Sequence, residues 1–228
     1  MKRLILGTML SIIPLIAMEN IEKEQTTDIN LIKQSENKGL LGATFIKVYV
    51  GTTSFGDDET ADILDSNLQY GVKGQFKIND NLSLGGGVEM LTANIDYQGI
   101  TGDVSGTALY LEGLYHFLPN GTIDPFVSLG LSYVSYKEDG EEYGYGSYSY
   151  DDSDNGYQFS AGAEFDLTDK IFLTPTFSYA KVGDGDASKD ISVEIDFEVA
   201  NNFFLGGGIN VELEETDTSY YVGAGFKF

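Results

Sequence analysis

Between Asp190 and Ala200 apolar and polar side chains alternate without a break: Ile191, Val193, Ile195, Phe197 and Val199 share one parity, and Ser192, Glu194, Asp196 and Glu198 the other. Successive side chains of an extended strand point to opposite faces, so this segment has one apolar and one charged wall. The same period recurs in candidate strands near 43–53, 67–78, 82–95, 106–118, 123–137, 156–167, 171–182, 190–200, 203–214 and 219–228. No later stretch approaches the length of apolar sequence that a membrane helix needs. Such a chain folds as an all-β protein, and what remains open is which wall of each strand meets water.

Strand and connector lengths bear on that question. Each candidate is about the 9–11 residues, in places more, that a tilted strand needs to cross a hydrocarbon layer. Connectors alternate in length. Asn79-Asp80-Asn81, Pro119-Asn120-Gly121-Thr122, Thr168-Asp169-Lys170 and Asn201-Asn202 are short, whereas Ser54 to Asn67, Asp96 to Ser105, Glu138 to Asn155 and Gly183 to Lys189 are longer, with Glu215 to Thr218 briefer. Short turns at one end and longer loops at the other are the arrangement of transmembrane barrels. An even strand count also returns the C-terminus to the end where the chain began, so the outermost strands can pair and leave no edge in lipid. The expected fold is a transmembrane up-and-down antiparallel β-barrel of about ten strands, with eight as the alternative count.

Composition agrees. The chain holds 15 tyrosines, 14 phenylalanines and 28 glycines against 4 prolines, which suits many strands with an aromatic-rich membrane interface. Tyr133, Tyr157, Tyr179 and Tyr220 fall near one end of their strands on the apolar parity, and Phe76, Phe117, Phe165, Phe226 and Phe228 near the other, as two interface girdles do. The formal net charge of −23 has the wrong sign for a phosphate backbone, which argues against nucleic acid as a partner. Cysteine is absent, so disulfides, thiolate metal sites and a lipid-anchored cysteine are excluded. With no phosphate-binding glycine loop and no paired-histidine zinc motif, neither a cofactor nor a metal is expected.

The first segment follows signal-peptide grammar. Lys2 and Arg3 precede a run from Leu4 to Ala17 that is apolar apart from Thr8 and Ser11, with small Ala17 at its end. The expected division is a signal peptide over 1–17, a flexible leader over 18–40 and the barrel over 41–228. The leader is polar and lacks a clean helical period; a short amphipathic helix through Ile29, Leu31 and Ile32, resting in or below the barrel mouth, is its alternative.

The last segment, Ser219-Tyr-Tyr-Val-Gly-Ala-Gly-Phe-Lys-Phe228, resembles the terminal strand of bacterial outer-membrane proteins, with Tyr220, Val222, Ala224 and Phe226 alternating back from Phe228. The glycine-rich strands Leu82-Ser-Leu-Gly-Gly-Gly-Val-Glu89 and Phe203-Phe-Leu-Gly-Gly-Gly-Ile-Asn210 are similar to the small opacity-like and porin-like β-barrel family. The resemblance covers about residues 40–228. It implies a Gram-negative outer-membrane location, a periplasmic leader, a C-terminal signal read by the barrel assembly machinery, and contact with outer-membrane lipid and lipopolysaccharide. Lys137 and Lys181 share the outward parity of Tyr133 and Tyr179, which makes them candidates to reach lipopolysaccharide phosphates.

The polar parity places Lys47, Lys73, Lys77, Glu89, Glu112, His116, Glu164, Asp166, Glu194, Asp196, Glu198, Glu212 and Lys227 in the lumen. Lys73 is expected to neighbour Glu89, and Glu89 to neighbour Glu112, at similar depth. Lys47, Glu194, Asp196 and Lys227 complete the expected charge network. Such charges either line a narrow pore, which excess carboxylate would make cation-preferring, or pair across the interior and plug it. The second outcome leaves a structural or surface-interaction barrel that displays its acidic loops. Chief among these is Glu138 to Asn155, where seven carboxylates stand among Tyr143, Tyr145, Tyr148 and Tyr150 without calcium-loop spacing. His116, the only histidine, sits near the short turn at Pro119, the wrong end for the chemistry of barrel enzymes, so no enzymatic activity is expected. No extracellular ligand is legible.

Overall fold

The computed structural model describes residues 39–56, 64–97, 100–119, 121–142, 146–214 and 217–228. The expected signal peptide, and all of the expected leader but Gly39 and Leu40, lie outside the described residues.

Ten strands follow in order: β1 Phe45–Ser54, β2 Leu64–Asn79, β3 Leu82–Tyr97, β4 Ile100–His116, β5 Ile123–Glu142, β6 Gly146–Thr168, β7 Ile171–Val182, β8 Ser188–Ala200, β9 Phe203–Glu212 and β10 Thr218–Lys227. Each pairs antiparallel with the next, and β1 pairs with β10 from Phe45↔Lys227 to Ser54↔Thr218, which closes the sheet into a barrel. Ten strands, not eight, make the wall. The chain enters β1 and leaves β10 at one end, called here the near end, where the four short turns also lie.

Polarity is inverted relative to a water-soluble barrel. Leu131, Val222, Phe76 and Val48 stand more than half exposed on the outer wall, while Lys47, Glu89, Glu112 and Asp196 are buried inside. Contiguous apolar surface of this extent is stable only against lipid. Tyr133, Tyr157 and Tyr220 are exposed toward the far end and Phe76, Phe117, Phe226 and Phe228 at the near end, in the two expected girdles.

Two connectors differ from expectation. Glu138 to Asn155, read as a loop, continues as a ribbon in which β5 and β6 stay in register from Tyr133↔Asn155 to Glu142↔Gly146. Asp96 to Ser105 likewise belongs mostly to β3 and β4, which pair out to Tyr97↔Ile100. The reason is that apolar alternation marks a strand only where one wall meets lipid. Beyond it the outer wall turns polar at Asn94, Asp103 and Ser105 while Ile95 and Val104 point inward, so the alternation changes phase, and in the ribbon Tyr–Glu and Ser–Asp contacts support the ladder.

The interior is layered. At the near end Leu40 packs with Phe45, Phe172 and Phe204, and Leu41 with Leu114 and Phe126. Toward the far end lie Leu91, Ala108, Val134, Ala180 and Val182, then Ala93, Ile95 and Val104 with Phe55, Ile100 and Tyr136. Charged and polar side chains fill the space between these apolar layers.

Candidate functional site: the lumenal charge layer

Strand parity delivers the long polar side chains of β1, β2 and β8 to one depth. There the Lys47 ammonium donates to Glu194 Oε1 at 2.7 Å and to Asp196 Oδ1 at 2.6 Å, and Lys73 donates to Glu194 Oε2 at 2.5 Å. The Tyr221 hydroxyl donates to the same Glu194 oxygen. Lys47 is 1% exposed, so its charge is compensated by these carboxylates and not by bulk water.

Glycine makes the chord passable. β10 and β9 stand between β1 and β8 in the wall. A Cβ at Gly206 of β9 would lie 1.8 Å from Asp196 Oδ1 and 2.7 Å from Lys47 Nζ, so any larger residue there would break the pair. A related device fills the lumen wall. Tyr49, Tyr110 and Tyr221 each lie over their direct cross-strand partners Gly71, Gly87 and Gly208, with ring atoms where a Cβ would sit.

In the expected Lys73, Glu89, Glu112 row Lys73 lies beside Glu89, and the hydrogen bonds run to other partners. Lys73 reaches across to Glu194, while Glu89 accepts from the Tyr49 hydroxyl at 2.6 Å and from Gln69 Nε2 at 2.5 Å. Glu112 accepts from the Ser128 hydroxyl at 2.7 Å and from Gln158 Nε2 at 3.4 Å. Each carboxylate takes its hydrogen bonds from neutral donors on strands one or two places away, while Lys73 stays close to Glu89 and bonds to Glu194. Lys227 pairs with Glu198 at 2.8 Å nearer the termini, apart from the central layer.

Two arrangements at the near end were not foreseen. Glu164, 3% exposed, accepts the backbone N–H groups of Leu40 and Leu41 at 3.1 Å each, which pins the segment before β1 inside the barrel. Leu40, assigned to the leader, is thus part of the packed interior. The only sequence signal is that Leu40 and Leu41 are apolar in polar surroundings. Separately, His116 Nδ1 lies 2.8 Å from Asp124 Oδ2 and Nε2 lies 3.2 Å from the Ser83 hydroxyl. Ser83, His116 and Asp124 are at most 5% exposed, with the Phe126 ring beside the imidazole, so the trio has no opening for a substrate.

Two cavities lie in the lumen among the described residues. A cavity of about 60 Å³ separates the Leu40–Leu41 segment from the Lys47–Glu194 layer, and one of about 10 Å³ lies beside Tyr49, Glu89 and Asn210. These hold a few waters and one water respectively.

The remaining expected residues lie on the outer wall. Tyr220, Val222, Phe226 and Phe228 are exposed there with Ala224 half-buried between them, and the Phe228 N–H donates to Thr44 O at 2.8 Å, tying the last residue to the chain before β1. Lys137 pairs with Asp139 on the same face of β5. Lys181 stands opposite Tyr157 in the β6–β7 ladder, at the level of the Tyr157–Tyr179 ring contact.

The translocator domain of the autotransporter NalP from Neisseria meningitidis superposes with a TM-score of 0.54 at 15% identity, covering 82% of this chain and 88% of that one. Ail, the attachment invasion locus protein of Yersinia pestis, gives 0.42 at 14% identity over 83% of this chain and 100% of that one. No curated protein sequence matches the chain. The model of the outer membrane protein beta-barrel domain matches residues 33–197. That match spans most of a closed, lipid-facing sheet with its charges turned inward, and the chain accordingly belongs to the outer-membrane β-barrel domain family and is a protein of the outer membrane.

Proposed function

We propose that the barrel is a closed anchor that holds the β5–β6 ribbon outside the cell, a structural and surface-interaction role, in preference to the cation-preferring pore. The supporting observation is that the Lys47–Glu194–Lys73 bridge spans strands three and four places apart inside the lumen, with apolar layers on both sides of it. A selective pore needs a continuous polar path whose sites bind ions loosely. Here the carboxylates that would line it are already held by lysine, tyrosine, glutamine and serine.

The other half of the role rests on the ribbon. β5 and β6 run to 20 and 23 residues, well beyond the 10 of β1 or β10, and carry Asp139, Glu141, Asp151 and Asp152 into water. Entry into the membrane by way of the barrel assembly machinery, reading the β10 terminus, belongs to the same reading. So does contact of Lys181 with lipopolysaccharide phosphate; Lys137 is engaged by Asp139 and contributes less. Lipid retained by Lys181→Gln, weighed by mass spectrometry, tests that contact, and an unchanged ratio removes it.

Liposomes loaded with potassium and carrying the refolded protein test the closed barrel. The expected result is retention equal to protein-free liposomes. Rapid potassium loss that scales with protein content would return the pore reading to first place.

A further inference from the structure

β6 has two neighbours along its lower part and one along its upper part. Pairing with β7 begins at Gly156↔Val182, whereas pairing with β5 continues to Gly146. From Gly146 to Asp154 one side of β6 is therefore a sheet edge among the described residues. The direction of its backbone groups follows from one bond: Gly183 donates its N–H to Asn155 O, so Asn155 points its backbone groups toward the β7 side. In an unslipped antiparallel ladder the same side takes the backbone groups of every second residue, here Ser147, Ser149, Asp151 and Ser153. The Ser153 N–H is covered by Asp152 Oδ1 at 2.9 Å, and beside the groups of Ser147, Ser149 and Asp151 no strand lies among the described residues.

An exposed edge is a template for another strand, and proteins blunt such edges with proline, bulges or lysine. Gly-Ser-Tyr-Ser-Tyr-Asp-Asp-Ser-Asp-Asn over 146–155 contains no proline and no lysine, and its register with β5 has no bulge. Its one device is negative charge. Two copies of this edge would set aspartates opposite aspartates, which opposes self-pairing. The same charge favours a cationic strand.

Side-chain parity sharpens the partner. Tyr148, Tyr150, Asp152 and Asp154 share one face of the edge, beside which alternate residues of an added strand would lie. Lysine or arginine at every second position would lay its apolar stem along the tyrosines and its charge by the carboxylates. We infer that the Gly146–Asp154 edge binds an extended, alternately basic peptide segment of another protein as an added β-strand. This rests on the reading of the ribbon as a displayed surface.

The test uses the full barrel in lipid nanodiscs and a fluorescent nine-residue peptide of alternating lysine and valine. Three comparisons go with it: the same peptide N-methylated at alternate residues, the polyamine spermine, and the variants Ser149→Pro and Asp152→Asn/Asp154→Asn. Proline at Ser149 removes an edge N–H and takes no backbone donor from the β5 ladder; it also removes the Ser149 hydroxyl bond to Asp139, for which Ser149→Ala, expected to bind like the wild type, is the control. The expected result is saturable binding that weakens about tenfold or more on N-methylation and on Ser149→Pro, as loss of strand hydrogen bonds requires, and also on removal of the two aspartates. Equal binding of the methylated peptide, competition by spermine at matched charge, unchanged binding by Ser149→Pro, or no binding at all would overturn the added strand. Potassium retention by the same preparation reports the closed barrel separately, so failure of one claim is distinguishable from failure of the other.

Discussion

Lys47 Nζ and Asp196 Oδ1 lie 2.6 Å apart although their strands, β1 and β8, are separated in the wall by β10 and β9. The bond is a chord across the lumen, and Glu194 extends it to Lys73 on β2. Strands three and four places apart around the barrel are therefore held by charge as well as by the hydrogen-bonded sheet.

Removing Lys47 should expose what that chord contributes. Lys47→Ala leaves Asp196 without its cation in a buried layer, and deleting one partner of a buried pair costs about 3–5 kcal/mol. Lys47→Met combined with Asp196→Leu removes both charges and should recover most of the loss. Urea unfolding in lipid vesicles, followed by far-ultraviolet circular dichroism because the chain has no tryptophan, measures both. Equal destabilisation by the single and double variants would mean that packing, not charge, holds this layer.

Glu164 should control the segment before β1. Two backbone N–H groups donate to its carboxylate, and a hydrogen bond to a charged group contributes about 1.5–3 kcal/mol. In Glu164→Ala the amides of Leu40 and Leu41 should exchange with solvent at least about tenfold faster while β-strand amides stay protected. Unchanged protection at both amides would show that Phe172 and Phe204 hold the segment unaided.

The ribbon carries a pH-dependent contact. Asp139 accepts from Lys137 and from the Ser149 hydroxyl across the β5–β6 pair, and these bonds, the lysine's first, hold its carboxyl below the usual aspartate range. A folded value lower than the unfolded one stabilises the ribbon above the ordinary aspartate value of about 4, and that contribution fades as pH falls through the lowered value. Carboxyl-carbon NMR should place Asp139's midpoint below that of a free aspartate, and Lys137→Gln should raise it. A midpoint unmoved by Lys137→Gln would remove the pair from the account.

Phe228 should matter for assembly more than for stability. Its side chain is 78% exposed on the lipid wall, and only its backbone N–H is tied to Thr44. Deleting it should lower the amount of protein reaching the outer membrane several-fold in cells, yet leave the urea midpoint of refolded protein nearly unchanged. Normal surface levels of the deletion would show that the terminal residue is not read during assembly.

Which wall of each strand met lipid was legible because alternation such as that of Ile191 to Val199 has one apolar and one charged parity, and lipid admits only the first. Strand length outside the membrane was not, since beyond the lipid the outer wall turns polar, as at Asp103 and Ser105, and apolar side chains such as Val104 point inward, which reverses the phase of the alternation. Residue depth was legible for Lys73, Glu89 and Glu112, but their partners were not. Pairing across a closed lumen depends on curvature and on gaps such as Gly206, which a pattern read along single strands does not contain. The Ser83, His116, Asp124 bonds escaped for the same reason.

Single-channel recording of the wild-type barrel in a planar bilayer tests the closed-lumen claim most directly. A lumen bridged by Lys47, Glu194 and Lys73 and capped by Leu40 and Leu41 predicts a flat baseline at all moderate voltages, with insertion verified by recovering protein from the membrane. Reproducible unitary steps with a cation-selective reversal potential in the unmodified protein would contradict it.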